Sequence, residues 1–326
     1  MQERGGAGFL NRVLSSFKHF SNPYNELSLL RVKDVMTKDV MCVRAGEPLL
    51  EAAHTMIGAH VSCLVVVEGE NPAGILTERD FIKKFSMNKK ENSEMLVSDL
   101  MTRGIVSVDP STDLFTAQKL MRQHNFRKLV VMHNGEMKGI ITQTDLCRAV
   151  AKLKSPVFNS PLINDFMTKS VLMVADDDTF LKAKKMMAAK DIGSVIVGAK
   201  DDLHGIFTEF DLVSAYFLNP NKLMNSFMCE LVSVPIICIT ADFDMTSVNK
   251  MMLERNFRRF PVVENSKLMG IITQTDVARA LYNFIENNKD NAIKRRNARP
   301  PCECELVKKS NIIFCKRKQS KAVLSK

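Results

Sequence analysis

The sequence predicts an α/β protein of the α+β type: four β-α-β-β-α repeats paired into two modules, followed by a basic tail. Three observations predict it. A strand-like run that ends in Thr-x-x-Asp occurs four times, as GILTERD, GIITQTD, GIFTEFD and GIITQTD, with its threonine at Thr77, Thr142, Thr208 and Thr273. Those anchors lie 65, 66 and 65 residues apart, and a second hydroxyl sits forty residues before each: Thr37, Thr102, Thr168 and Ser233. The first three of these end the strings DVMT, DLMT and DFMT, while ELVS keeps the pattern in weakened form. Lastly, the copies alternate. MRQHNFRKLVV in the second resembles MLERNFRRFPV in the fourth, whereas the first and third read AHVSCLVV and KDIGSVIV. Fixed spacing of this kind marks a repeat architecture, and the alternation points to duplication of a two-repeat unit.

Residues 1–27 form an N-terminal segment in which Phe9, Leu10, Val13, Leu14 and Phe17 sit at helical spacing. This amphipathic helix is expected to dock on its own domain, with a membrane-surface or partner-binding role as the alternative. The repeats are drawn at residues 28–90, 95–155, 160–221 and 225–286. Each begins with a β-rich run (VMCV, IVSV, VLMV, IICI) and continues into a helix with one apolar face. That face carries Leu49, Ala53 and Met56 in the first copy, and Leu114, Ala117 and Met121 in the second. It carries Phe180, Ala183 and Met187 in the third, and Met245, Val248 and Met252 in the fourth. Two further strands follow across turns such as HNGE and ENSK, and a second helix starts at Thr-x-x-Asp. A unit of about 60 residues buries too little surface to stand alone, so pairing of neighbours is expected. The methionines on the helix faces read as core filling.

Residues 287–326 leave this grammar. They hold 12 Lys and Arg against 3 Asp and Glu, so nearly all of the chain's net charge of +10 belongs to them. AIKRRNARPP reads as a linker or a nucleic-acid-tropic arm, and CECELVKKSNIIFCKRK as a small hairpin around KKSN. Cys302, Cys304 and Cys315 fall short of the four ligands of a structural zinc site, so no metal site is expected. A polyanion contact and a solubilising tail are both open readings of the segment.

Composition excludes several classes. At 45% apolar and 25% charged residues, with 14 Gly and 11 Pro, the 326-residue chain is neither collagen-like nor mostly disordered. No apolar run approaches the roughly 20 residues of a transmembrane helix, and the N-terminus lacks a secretory pattern. Cys42, Cys63, Cys147, Cys229 and Cys238 lie in or beside apolar segments, which reads as free thiols in a reducing, cytoplasmic setting. No P-loop, Ser/His/Asp set or H-E-x-x-H motif appears, so no enzyme class is indicated.

Two readings compete for Thr-x-x-Asp. As a helix cap, the Thr hydroxyl accepts from a backbone N–H of the first turn, with the Asp near the positive helix end. As a binding site, the helix N-terminus favours a phosphate, the Thr donates to a phosphate oxygen, and the Asp accepts from both ribose hydroxyls. Capping alone does not explain why the glycine recurs with the Thr/Asp pair in every copy.

With these strings the four units resemble CBS repeats (the cystathionine-β-synthase type), and the pairs resemble two Bateman modules. The resemblance covers roughly residues 28–286. It implies adenine-nucleotide binding in clefts between paired repeats, with the base against apolar strand residues near the D-h-M-T segment. Asp80, Asp145, Asp211 and Asp276 would then hold the ribose, with Thr77, Thr142, Thr208 and Thr273 near the phosphate. Arg127 and Lys128, and Arg258 and Arg259 at the same register in the fourth copy, are similar in position to phosphate-reaching residues. The comparison is with the nucleotide-sensing gamma subunit of AMP-activated protein kinase. Solvated strand-edge charge is the structural alternative for these four.

The nucleotides at Asp80 and Asp211 are expected to receive phosphate contacts across the pair. The pockets of Asp145 and Asp276 are expected to prefer fewer phosphates or stay empty. The resemblance thus implies a non-catalytic regulatory protein with AMP, ADP or ATP as regulatory ligand, no obligatory cofactor and an unknown protein effector as target. CBS modules often associate into discs, which leaves a homodimer open. The alternative function is a nucleic-acid- or ribosome-associated factor that makes an RNA contact through residues 287–326.

Overall fold

The β-rich runs, the amphipathic windows and the capped helix starts all fold as the repeat grammar requires. A computed structural model describes residues 22–85, 94–218, 223, 226–289, 304–309 and 312–317. The predicted helix around residues 9–17, the AIKRRNARPP run and Cys302 lie outside the described residues.

Helix α1 (Pro23–Leu29) and the single turn α2 (Val32–Val35) lead into repeat 1, which continues as β1 (Cys42–Arg44), α3 (Leu49–Gly58), β2 (Cys63–Glu68), β3 (Asn71–Thr77) and α4 (Glu78–Lys84). Repeat 2 comprises α5 (Val97–Leu100), β4 (Thr102–Arg103), β5 (Ser107–Val108), α6 (Leu114–Gln123), β6 (Lys128–His133), β7 (Glu136–Thr142) and α7 (Gln143–Ala151). Repeat 3 comprises β8 (Met173–Val174), α8 (Phe180–Lys190), β9 (Ser194–Ala199), β10 (Asp202–Thr208) and α9 (Glu209–Leu218). Repeat 4 comprises β11 (Ile236–Ile239), α10 (Met245–Glu254), β12 (Arg259–Glu264), β13 (Lys267–Thr273) and α11 (Gln274–Asn287). In every repeat the first strand pairs parallel with the second, and the last two form an antiparallel hairpin.

The tail folds as the predicted hairpin, β14 (Cys304–Lys309) against β15 (Ile312–Arg317). It also does something the sequence did not announce. Strand β15 pairs parallel with β11, from Ile236 opposite Ile312 to Ile239 opposite Cys315, and extends the sheet of repeat 4 to five strands. An unpaired strand edge is thereby covered.

The two repeats of a module are crossed. Thr102 of repeat 2 pairs with Ile75 of repeat 1, while Thr37 of repeat 1 pairs with Ile140 of repeat 2. Thr168 with Ile271, and Ser233 with Ile206, repeat the exchange in the second module. This explains the recurring glycine. A Cβ on Gly74 would lie 2.7 Å from the Thr102 carbonyl oxygen, and one on Gly139 would lie 2.6 Å from that of Thr37. On Gly205 it would meet Val232 Cβ at 2.6 Å, and on Gly270 Met167 Sδ at 2.7 Å. At Gly74 and Gly139 a side chain would clash with the partner's backbone, and at Gly205 and Gly270 first with a side chain of the partner segment.

Apolar burial follows two directions. Within modules, small sheet-to-sheet clusters join the repeats: Val65, Val130 and Ile140 in one, and Ile196, Leu203, Ile236, Cys238, Val263 and Leu268 in the other. The two larger cores run between modules. Repeats 1 and 3 share one, in which α9 packs on α3 and α4 and Phe81, Phe85, Tyr216 and Phe217 cluster edge to face. Repeats 2 and 4 share the other, in which α11 packs on α6 and α7, with Leu146, Cys147, Leu281 and Tyr282 fully enclosed. Helix α1 joins this second core, and its buried Glu26 accepts from the backbone N–H groups of Lys154 (2.8 Å) and Ser155 (2.7 Å). Burial pushes the Cys238 thiol up to about 12 and raises that of Cys147 further, so both behave as inert hydrophobes.

Candidate functional site

Both readings of Thr-x-x-Asp are present in one geometry. In all four copies the Thr backbone N–H donates to Asp Oδ2 at 2.8–3.1 Å, and the Asp N–H donates weakly to Thr Oγ1 at 3.3–3.4 Å. The Thr hydroxyl itself donates to the same Oδ2 at 2.6–2.7 Å. This is a full capping box, and it uses the threonine's only O–H. The threonine therefore fixes the carboxylate, and Oδ1 is the oxygen left to face the cleft.

What meets Oδ1 differs from copy to copy. At Asp80 it accepts from Thr102 Oγ1 of the partner repeat (2.8 Å) and from Lys84 Nζ one turn along the helix (2.8 Å). At Asp211 it meets Ser233 Oγ at 3.4 Å. Asp145 and Asp276 instead pair with an arginine three residues on, Arg148 at 2.9 Å and Arg279 at 3.0 Å. The signal for these arginines was present in the sequence as TQTDLCR and TQTDVAR, a D-x-x-R shared by both GIITQTD copies. Burial outweighs the hydrogen bonds and Arg148 at Asp145, and its carboxyl pKa is raised.

A cavity of about 2270 Å³ connects the repeats, well above the roughly 300–1,000 Å³ of a single small-molecule pocket. It brings together Thr77, Asp80, Thr142, Asp145, Thr273 and Asp276 with all four predicted basic residues. Thr208 and Asp211 do not line it, although their neighbours Glu209 and Phe210 do.

Arg127 and Lys128 are not free strand-edge charges. Arg127 Nη1 bonds Glu209 Oε2 across the modules at 2.9 Å, and Arg79 Nε bonds Glu209 Oε1 at 3.0 Å. Lys128 Nζ donates to the carbonyl (3.2 Å) and hydroxyl (3.1 Å) of Ser62 in repeat 1. Arg258 Nη2 stands 3.8 Å from Glu78 Oε1, too far for a hydrogen bond. Arg259 lies among Glu209, Arg258, Glu78 and Asp211; withdrawal from solvent is the main cause that lowers its guanidinium pKa. Glu78 is 4% exposed, and among the described residues its Oε1 has no hydrogen-bond partner. Burial raises its carboxyl pKa against the pull of Arg258.

Comparison with known proteins agrees with this architecture. The CBS-domain family profile matches residues 32–86, 97–152, 163–218 and 228–283, most of the chain. The chain belongs to the CBS-domain family. It is 27% identical over 264 residues to the uncharacterized protein MJ1404 of Methanocaldococcus jannaschii, an alignment that takes in 76% of this chain and 60% of that protein. The chain thus spans less than two thirds of that relative's length. It is 32% identical over 133 residues to the CBS domain-containing protein YhcV of Bacillus subtilis, covering 41% of this chain and 93% of YhcV. Among solved structures, protein MJ1225 of Methanocaldococcus jannaschii superposes with a TM-score of 0.70 at 19% identity, over 77% of this chain and all of that one. MJ1225 has been proposed as an archaeal homologue of γ-AMPK. At that identity the likeness concerns the four-repeat fold. Among the described residues no helix is long and apolar enough to cross a membrane.

Proposed function

We propose that this four-repeat CBS protein is a non-catalytic regulator that binds adenine nucleotides in the clefts between paired repeats and signals to a protein partner. The observation that carries the reading is the composite cleft. An Asp carboxylate is held by its own helix start, meets a hydroxyl from the partner repeat in the clefts of Asp80 and Asp211, and in the Asp80 cleft opens into the cavity lined by Arg127 and Lys128. The aspartates Asp80, Asp145, Asp211 and Asp276 take the ribose hydroxyls through Oδ1. Thr77, Thr142, Thr208 and Thr273 serve by fixing those carboxylates. Arg127 and Lys128 take the phosphates of a nucleotide at Asp80, and Arg258 and Arg259 those of a nucleotide at Asp211. The four CBS repeats support a sensor of AMP, ADP or ATP. Occupancy at the cavity, which touches every repeat, would reach a partner by favouring one arrangement of the modules over another.

Two measurements test this. Mass spectrometry of small molecules released from natively purified protein should return an adenine nucleotide. Calorimetric titration with AMP, ADP and ATP should lose one site in Asp80→Ala and one in Asp211→Ala; unchanged stoichiometry and affinity in both variants would overturn the assignment.

A further inference from the structure

The residue after the motif threonine separates the repeats in a way that the nucleotide reading does not use. It is Glu78 and Glu209 in repeats 1 and 3, but Gln143 and Gln274 in repeats 2 and 4, and all four are buried. Exchange of repeat 1 with 3, and of 2 with 4, maps the pair Arg127–Glu209 onto Arg258–Glu78. One pair is closed at 2.9 Å and the other stands open at 3.8 Å. The cause lies one residue further along. Arg79 supplies Glu209 with a second guanidinium, whereas the matching position in repeat 3 is Phe210, which stacks on His60 with ring centroids 5.6 Å apart. Arg79 is itself steadied by Asp191 at 3.3 Å.

We infer that Glu209 is a specificity-determining residue of the Asp80 cleft, an internal competitor that sits between Arg79 and Arg127 where the outer phosphates of a bound nucleotide would go. The inference rests on the nucleotide-binding reading above. A carboxylate that accepts one hydrogen bond on each oxygen from two guanidinium groups presents the same charge and acceptor pattern as a phosphate oxygen pair. Its side chain is 3% exposed, against 39% for Arg127, so the arginine faces the cavity while its head is already engaged. A nucleotide must displace Glu209 to use Arg127. The more phosphates it carries, the further it reaches into this contest, so adenosine is indifferent to Glu209 and ATP feels it most. In repeat 4's counterpart the open Arg258–Glu78 pair imposes less competition.

The test is calorimetry on the full chain with ATP, AMP and adenosine, comparing the native protein with Glu209→Gln and Glu78→Gln. Glutamine is what repeats 2 and 4 carry at this position, so each variant restores internal symmetry. Glu209→Gln should tighten ATP by about tenfold, the size of one charge-assisted hydrogen bond. AMP should gain less, adenosine should not change, and Glu78→Gln should move ATP by less than Glu209→Gln does. Native protein that binds ATP, with Glu209→Gln equal to it or weaker while adenosine binding persists, overturns the inference alone. Native protein that binds none of the three overturns the nucleotide reading itself, and the inference with it. Should Glu209→Gln fail to fold, Glu209→Asp withdraws the carboxylate by one methylene without a charge change. It should give a smaller gain for ATP, and no gain would overturn the inference.

Discussion

Repeats 2 and 4 carry identical GIITQTD strings and end with identical local chemistry, an Asp bound to an arginine three residues on. Repeats 1 and 3 carry related strings and end differently. Asp80 Oδ1 is held by Thr102 and Lys84 at 2.8 Å each, whereas among the described residues Asp211 Oδ1 meets Ser233 at 3.4 Å. The difference arises in the partner segment and in the helix that follows: ELVS replaces a threonine with a serine, and Ala215 stands where repeat 1 has Lys84. A cleft in this fold is a property of two repeats, so the motif of one copy does not decide its behaviour.

The largest test of that crossed construction is the glycine. Gly139→Ala drives a methyl against the Thr37 carbonyl and should cost about 3 kcal/mol in urea denaturation. Gly270→Ala should cost less, because its nearest contact is the movable Met167 sulfur. Equal costs would mean that the Met167 sulfur does not move aside and that the two modules cross with the same tightness.

Next comes the carboxylate. Asp80→Ala removes a capping box and two further acceptor bonds and should lower stability by about 2 kcal/mol; Asp211→Ala, with one weak bond beyond its box, should lower it by about 1 kcal/mol. The order of the two is the sharper result, and thermal denaturation without ligand measures it. A reversed order would break the contrast between the two clefts.

The glutamates extend the comparison. Glu209→Gln should destabilise the ligand-free protein by about 1 kcal/mol or more, because the charge that closes two pairs, with Arg79 and Arg127, is lost. Glu78→Gln should have the opposite sign at neutral pH. A carboxylate whose folded pKa is raised by burial costs stability above that pKa, so its neutral substitute gains. As pH falls through the ordinary glutamate value of about 4.3, the gain should fade. Melting temperatures of both variants at pH 4 and pH 7.5 check the sign.

The smallest effect separates repeat 3 from repeat 1. His204 lies before the motif glycine where repeat 1 has Ala73, and the hydrogen bonds its ring N–H groups donate to Asp176 (2.6 Å) and Asp202 (3.0 Å) raise its pKa. A raised histidine pKa adds stability that is fully present below the ordinary value near 6.5 and is lost as pH rises through the folded value. The group is over a third exposed, so the contribution should be roughly 0.3 kcal/mol after screening. His204→Ala should therefore lie slightly below the native protein at pH 6 and meet it by pH 8.5.

Much of this was legible in the sequence. Periodic helix faces, capped helix starts and the hairpin around KKSN follow from local spacing, because hydrogen-bond geometry and amphipathicity act over a few residues. The crossing was not legible. The −40 hydroxyl and the Thr-x-x-Asp string of one repeat are linked by chain, yet Thr37 pairs with Ile140 and Thr102 with Ile75, which only tertiary packing decides. The pairing of repeat 1 with 3 and 2 with 4 was hidden likewise, since equivalent apolar faces do not state which copy they meet. Helix α1 was missed because PYNELSL is short and its Glu26 is explained only by the N–H groups of Lys154 and Ser155. Arg148, Arg279 and the Glu/Gln alternation were readable too: D-x-x-R follows both GIITQTD copies, and the Glu or Gln stands inside the Thr-x-x-Asp string itself.

The two cores that run between modules also set an order of events during synthesis. Repeat 1 alone has neither Thr102 to complete its sheet nor α9 to cover α3 and α4. A nascent chain must expose Phe81 and Phe85 until Tyr216 and Phe217, some 130 residues later, are released to enclose them. The core of repeats 2 and 4 waits for Ile285, so nearly the whole repeat region must be delivered before it closes. Contacts of such long sequence separation fold slowly and leave apolar surface open in the interval. A growing chain of this protein is therefore a natural client for chaperones until its last helix arrives.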